Sequence, residues 1–327
     1  MRVLLTGGAG YIGSITTRRL LDAGHEVVVL DSLVRGHRDA VDVRAEFVEA
    51  EVGDVAALAR ALPECDAILH VAGLIEVGES AERPGAYFEA NVAQPARLLE
   101  AALAFDVRAV VFSSTAAVYG EPASIPITED APTVPVNVYG ATKLMFEQML
   151  QWYEHAYGMR NIRLRYFNVA GALPDATLGE AHVPETHIIP RILGSIASGA
   201  RSFELFGDDY PTPDGTCVRD YIHVCDLAEA HLLAVEHLAA GGEGGVFNLG
   251  NGKGFSNREV LSVCSEVTGA DIHVSVAKRR PGDPAMLVAS ADRAREVLGW
   301  TPTRGSLRQM VEDAWRWHSS KQCSDSG

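Results

Sequence analysis

Leu4-Leu5-Thr6-Gly7-Gly8-Ala9-Gly10-Tyr11-Ile12-Gly13 decides how the rest of the chain is read. It continues the aliphatic run that begins at Val3 and opens a helical pattern over 12–23. Glycines at 7, 10 and 13 permit a tight turn, close backbone approach to a pyrophosphate, and close packing of helix on sheet. The helix start then offers unpaired N–H groups and positive potential to phosphates. The second aliphatic run leads into Asp31, 18 residues after Gly13. That is near the spacing at which a carboxylate meets adenosine ribose hydroxyls. An acid there repels the extra phosphate of NADP, so NAD is the expected cofactor.

Outward from this stretch, short aliphatic runs alternate with longer helical patterns, the grammar of βαβ units in a parallel sheet. Strands are expected at Val3–Thr6, Glu26–Leu30, Ala45–Glu49, Ala67–Val71, Ala109–Ser113 and Asn161–Arg165. Several are continuously apolar, as strands covered on both faces must be. Helices are expected at 12–23, 55–62, 88–104 and 138–157. Residues 172–220, rich in Pro, Gly, Asp and His, break the rhythm and carry one helical stretch near 188–198; such irregular segments are usually loop-built functional regions. Short strands at Asp220–Val224 and Val246–Asn251 and helices near 226–239, 256–267, 291–297 and 305–318 complete the pattern. The expected fold is α/β: a Rossmann-like doubly wound parallel sheet with a smaller α/β substrate-binding domain. The boundaries expected are 1–171 with 220–250 for the cofactor domain and 172–219 with 251–318 for the smaller one. Residues 319–327 lack an apolar period and are expected to fray.

Composition limits the partners. Forty-three acidic against 28 basic side chains give a formal charge of -15, a field that repels nucleic acid and anionic membranes. Five cysteines, odd in number and without a CxxC pair, suggest neither a disulfide framework nor a zinc site, so no metal is expected. The strand pattern directly after Met1-Arg2 leaves no room for a signal peptide, and no apolar run reaches the roughly 18 residues of a membrane span. A cytoplasmic location is expected.

Chemistry enters with Tyr139-Gly-Ala-Thr-Lys143, a phenol and an ammonium on one helix face. A nearby cation favours phenolate and can bring a tyrosine into range as a base for an alcohol proton. Upstream, Ser113-Ser114-Thr115 ends the run Val110-Val111-Phe112, placing hydroxyls where open α/β sheets bind ligands. Thr115 can share a substrate oxygen with Tyr139, or be a satisfied turn hydroxyl.

With these residues the chain resembles the UDP-glucose 4-epimerase family of the extended short-chain dehydrogenases. The likeness runs through TGGAGYIG at 6–13, VLDSL at 29–33, SSTAAVYG at 113–120, YGATK at 139–143 and LRYFNVAGA at 164–172. It continues in FGDDYPTPDGTCVRDYIHVCDLA at 206–228, FNLGNG at 247–252 and RRPGDPA at 279–285. The resemblance implies tightly bound NAD and an exchange between UDP-glucose and UDP-galactose. Tyr139 takes the proton of the 4-hydroxyl, hydride leaves C4 for NAD, and the 4-keto sugar turns over before hydride returns. It further implies a homodimer, with helices 88–104 and 138–157 as candidates for the interface.

The resemblance implies a catalytic set of Thr115, Tyr139 and Lys143. Cofactor contacts fall on Gly7, Gly10, Tyr11, Ile12, Gly13, Asp31, Glu51, Val71, Ala72, Gly73, Asn91, Ser113, Tyr139, Lys143 and Tyr166. Substrate contacts fall on Thr115, Tyr139, Asn168, His187, Ile188, Phe206, Arg219, Arg280, Asp283 and Leu287. Within that set Asn168 meets diphosphate, Phe206 packs on uracil, Arg219 and Arg280 grip the phosphates, and Asp283 meets the uridine ribose. Paired arginines suit a diphosphate because their planar forks make several charge-assisted hydrogen bonds. His187 lines the diphosphate or sugar region, or caps the following helix. Glu51 and Ile75 depart from the family pattern. Leu287 takes the gate position beside the hexose, which leaves UDP-GlcNAc/UDP-GalNAc exchange as an alternative. Related dehydratases usually carry Thr-Asp-Glu where this chain has Thr115-Ala116-Ala117. Two methyl groups cannot transfer protons, which disfavours dehydration. A reductase and a non-catalytic NAD or UDP-sugar sensor complete the alternatives.

Overall fold

The computed structural model describes residues 1–280 and 283–325. In chain order the cofactor half runs β1 (Arg2–Thr6), α1 (Tyr11–Asp22), β2 (Glu26–Asp31), β3 (Glu46–Glu49), α2 (Val55–Ala61) and β4 (Ala67–His70). Next come α3 (Val77–Glu82), α4 (Pro84–Phe88), α5 (Gln94–Ala104), β5 (Ala109–Thr115), α6 (Val138–Tyr157) and β6 (Arg160–Tyr166). The remainder is β7 (Asn168–Ala170), α7 (Ile188–Ala197), β8 (Ser202–Phe206), β9 (Val218–His223), α8 (Val224–Ala239), β10 (Gly245–Leu249) and β11 (Gly254–Ser256). It closes with α9 (Asn257–Thr268), β12 (His273–Ala277), β13 (Met286–Leu287), α10 (Asp292–Leu298) and α11 (Leu307–Asp325).

Seven parallel strands form the main sheet in the order β10-β6-β5-β4-β1-β2-β3. Strand order reverses between β1 and β4, and the glycine turn after β1 opens at that switch point, where open α/β sheets place ligands. One face is covered by α1 and α8, with Leu20, Leu227 and Val235 fully packed against Leu5, Val29 and Val111. The other face carries α2, α5 and α6, where Leu58, Leu98 and Phe146 meet Leu4, Ile68 and Val110. Two covered faces explain why β4 and β5 are buried along their whole length.

The smaller α/β part packs α7, α9 and α11 around Phe203, Tyr221 and Leu261. Its strands form a sheet ordered β11-β9-β13 with β7 on β9, and a separate pair β12-β8. Asp220 ties this part together. It is fully buried and accepts from the backbone N–H groups of Asn251, Gly252 and Ala289 at 2.9, 3.1 and 3.1 Å.

Three departures from the sequence reading have physical causes. The helix expected at 88–104 begins at Pro84 and contains a π turn, Glu89–Ala93, that buries Asn91. Strands β7 and β8 and helix α3 fall where no regular element was expected; β8 alternates exposed and buried residues over only five positions. The stretch expected to fray from Ser319 continues α11 through Asp325. There Ser319 and Ser320 hydroxyls bond to Trp315 and Trp317 carbonyls at 2.8 and 2.9 Å, a local support invisible to apolar periodicity.

Candidate active site

The glycine turn is packed too tightly for side chains. Gly7 has φ +80°, and a Cβ there would meet Ala72 N at 2.6 Å. A Cβ on Gly13 would lie 2.0 Å from Gly7 O. Gly10 caps α1 without a side-chain partner for the helix, which leaves the first amides, including those of Tyr11 and Ile12, to a ligand. Asp31 is buried and accepts from the Ala9 and Leu33 amides at 3.0 and 2.9 Å, so it fixes the turn itself. Val71 and Ala72 leave β4 by donating to Thr6 O at 3.1 and 3.0 Å. Tyr11 donates its hydroxyl to Gly171 O at 2.6 Å and ties α1 to the later half. Glu51 is exposed at the end of β3.

Gly73 sits between two polar groups: a Cβ there would be 2.9 Å from Asn91 Oδ1 and 3.5 Å from Lys143 Nζ. Asn91 accepts from Leu74 N at 2.9 Å and donates to Leu74 O and Thr142 Oγ1 at 3.0 and 3.1 Å. The π turn aims this side chain inward, a common use of such turns at ligand sites.

Helix α6 begins one residue before Tyr139 because Asn137 accepts from Gly140 N at 2.8 Å as its cap. Tyr139 and Lys143 therefore fall on the first turns, beside the C-terminal end of β5. The Thr115 hydroxyl accepts from Ala117 N at 3.1 Å as a turn cap and lies close enough to the Tyr139 phenol to favour its phenolate. Burial raises the phenol to about 12, and Thr115 offsets this only in part. The Lys143 ammonium is buried and donates to Ser113 O at 2.9 Å instead of to the phenol. Burial drives Lys143 down to about 8, with Glu147 pulling the other way. Ser113 Oγ lies 2.8 Å from His231 Nε2, and burial raises the nearby Tyr166 phenol well above its ordinary value.

Of the expected substrate residues, Asn168, Phe206, Arg219 and Leu287 lie on β7, β8, β9 and β13, and Arg280 and Asp283 lie between β12 and β13. Asn168 pairs in register with Tyr221 on β9. Arg219 and Asp283 form an ion pair at 2.5 Å. Leu287 pairs in register with Arg219 and packs against the cluster containing Ala116 and Val118, so the gate position adjoins the turn that follows Thr115. The Arg280 guanidinium covers the Phe206 ring at 4.1 Å from its centroid. His187 stands at the α7 cap position without a capping bond; its ring binds Glu180 and Glu185 instead, and Ile188 follows as the first helical residue. Burial opposes the charged imidazole, but the two carboxylates prevail and raise His187 to about 10.

The sequence profile of the NAD dependent epimerase/dehydratase family matches residues 3–250. The chain belongs to that family. Among family members, a UDP-glucose 4-epimerase of Halalkalibacterium halodurans is 51% identical over 321 residues, covering 97% of this chain and 96% of its own. The structure of UDP-glucose 4-epimerase from Brucella ovis in complex with NAD superposes with a TM-score of 0.94 at 44% identity, covering 97% of this chain and 98% of that one. A Thermotoga maritima UDP-glucose 4-epimerase solved with UDP-glucose gives 0.86 at 31% identity, covering 98% and 100%.

In this member of the NAD dependent epimerase/dehydratase family, one polar group beside the site escaped the sequence reading. Glu147, one turn beyond Lys143, is buried and grips Arg165 through two bonds, Nε–Oε1 at 2.9 Å and Nη2–Oε2 at 2.5 Å. It also accepts from the Ser114 hydroxyl. Arg165 reaches on to Tyr119 at 3.0 Å. The signal was present: a buried charge is costly unless paired, and Arg165 finds its carboxylate, whereas Arg163 on the same strand has no ion pair among the described residues.

Proposed function

We propose that this chain is a UDP-glucose 4-epimerase that interconverts UDP-galactose and UDP-glucose by oxidation and re-reduction at C4. The observation that carries the reading is the meeting of Thr115, Tyr139 and Lys143 at the end of β5, next to a glycine cradle with free helix-start amides. Residues 1–171 with 220–250 serve as the cofactor domain, and 172–219 with 251–318 as the UDP-sugar domain.

The cradle fits NAD: side chains are sterically excluded at Gly7 and Gly13, and the amides at the start of α1 suit a pyrophosphate. When bound, NAD supplies the reversible hydride acceptor for C4 and a positively charged ring beside the phenol. Gly7, Gly10, Tyr11, Ile12, Gly13, Asp31, Glu51, Val71, Ala72, Gly73, Asn91, Ser113 and Tyr166 would hold it, tightly enough to survive purification.

The protein's own groups move the proton. A phenol near 12 keeps its proton at neutral pH, so Tyr139 becomes a base only with added positive charge nearby. Lys143 contributes through its ammonium, which persists below about pH 8. Tyr139 then takes the 4-hydroxyl proton and Thr115 holds the same oxygen, which orients C4. Reversal returns the proton to the inverted alcohol. Asn168, His187, Ile188, Arg219, Arg280 and Asp283 would hold the UDP moiety, with Phe206 under uracil. For that, Arg280 must leave the Phe206 ring that it covers in this structure. Leu287 faces the hexose.

Purified protein given UDP-galactose, with no added cofactor, should yield UDP-glucose of identical mass on epimer-resolving chromatography. Loss of water or gain of two hydrogens would instead indicate a dehydratase or a reductase. Tyr139→Phe should lower kcat by about a thousandfold, within the usual span for general acid–base catalysis, while nucleotide binding is retained. An unchanged kcat would remove Tyr139 from its role. A homodimer is proposed through α5 and α6, where Trp152 and Met145 are 71% and 43% exposed; light scattering should give the mass of two chains.

A further inference from the structure

Residues Gly179–His187 form a strap between the backbone held by Tyr11 and the start of α7. Its main chain is pinned from three sides. Trp317 Nε1 donates to Glu180 O at 2.8 Å, His37 Nε2 lies 2.9 Å from Ala181 O, and Arg35 Nη1 donates to Val183 O at 2.8 Å. The pinned backbone turns four side chains toward one point.

Those side chains are Glu180, His182, Glu185 and His187, each offering one ligand atom within 4.8 Å of every other. Glu180 is more than nine-tenths buried, with Oε1 at 3.0 Å from His182 Nδ1 and 2.7 Å from His187 Nδ1. Glu185 Oε1 stands 3.1 Å from His187 Nδ1. Among the described residues, the ion-pair partners of both carboxylates are these histidines, and neither meets a lysine or arginine. Two carboxylates and two neutral imidazoles carry a charge that a dication cancels. Neighbouring ligands around a tetrahedral zinc stand roughly 3.4 Å apart, which the side chains reach by opening the hydrogen bonds by about 0.3–0.7 Å and drawing in the wider separations, at most 4.8 Å, by about an ångström.

We infer that Glu180, His182, Glu185 and His187 form a four-coordinate site for a borderline divalent transition cation of the zinc class. Two imidazole nitrogens and two carboxylate oxygens select zinc, cobalt or nickel over magnesium, which prefers oxygen donors and waters. The cation would clip the strap that crosses from the cofactor half to α7, leaving the cysteines uninvolved. His187 is shared with the residues proposed above for the UDP moiety, so the test reads cation binding and thermal stability, not turnover.

Tag-free full-length protein, stripped with chelator and dialysed against zinc chloride, is expected to hold one zinc per chain by elemental analysis, with no comparable uptake of magnesium. Cobalt in its place should give the absorption of a four-coordinate ion without a thiolate charge-transfer band. The double variant His182→Ala, Glu185→Gln should bind zinc about a hundredfold more weakly or worse, since losing ligands exceeds the cost of losing an outer-shell partner. The melting-temperature rise that zinc produces in the parent should vanish as well. If that variant does not fold, His182→Asn provides the same comparison with a smaller change. Absence of stoichiometric zinc in the parent, unchanged affinity in a folded variant, or a thiolate band with cobalt would each overturn the assignment.

Discussion

The seven-stranded sheet and the smaller α/β part, with its separate β12-β8 pair, are held together by different means. Strands β4 and β5 are buried at every residue, whereas β12 has no residue fully buried and β8 buries two of five. In the large sheet, packing on two faces fixes register, and buried polar side chains gather near the cofactor cradle and the reactive tyrosine, with Asn161 and Arg163 buried further along β6. In the small part, register depends on single polar residues such as Asp220, which draws three amides from two backbone segments onto one carboxylate. A rigid frame for cofactor and base is thereby joined to a more locally wired frame for the UDP-sugar residues.

The largest expected disturbance is in the large sheet, at its one buried ion pair beside the site. Glu147→Ala strands the Arg165 guanidinium in the interior, and denaturant melts should show a loss of about 3–5 kcal/mol, the usual cost of removing one partner from a buried pair. A loss below about 1 kcal/mol would mean that packing alone holds α6 against β5 and β6. In the smaller part, Asp220→Ala leaves three amides without their acceptor, that of Ala289 buried and those of Asn251 and Gly252 partly so. A loss of about 3 kcal/mol is expected, at 1–3 kcal/mol for each unsatisfied group with partial relaxation. Hydrogen exchange should rise first at Asn251, Gly252 and Ala289 and spare β4; uniform loosening of the chain would contradict the contrast between the two parts.

The same contrast explains what the sequence made legible. Continuous apolar runs at 67–71 and 109–113, with the glycines at 7, 10 and 13, carry their structural meaning locally, so the doubly wound sheet and its cradle could be read directly. The pairing of Tyr139 with Thr115 followed from their positions at a helix start and a strand end. Residues 172–220 were legible only as an interruption, because their backbone is held by Tyr11, Arg35, His37 and Trp317, all distant in sequence. The convergence of Glu180, His182, Glu185 and His187 depends on that pinning, and a search for metal ligands confined to cysteines passes over it. The contact made by the Lys143 ammonium was not legible for a similar reason. Spacing places Tyr139 and Lys143 on one helix face, but the ammonium is drawn to the Ser113 carbonyl.

A smaller effect tests the meeting of the two parts at the sugar. Leu287 lies on β13 beside Arg219 and against Ala116 and Val118. Leu287→Tyr should worsen kcat/KM for UDP-GalNAc relative to UDP-galactose by about tenfold, within the roughly 1–3 kcal/mol that pocket shape supplies. An unchanged ratio would place the hexose elsewhere.

The fate of the hydrogen on C4 is the most direct test of the central claim, that the reacting hydrogen leaves and returns as hydride while Tyr139 handles only the hydroxyl proton. UDP-galactose deuterated at C4 is converted in ordinary water, and the UDP-glucose formed is read by NMR and mass spectrometry. Retention of deuterium at C4 is the predicted result. Replacement of that deuterium by solvent hydrogen would contradict the account, because it requires proton abstraction at carbon.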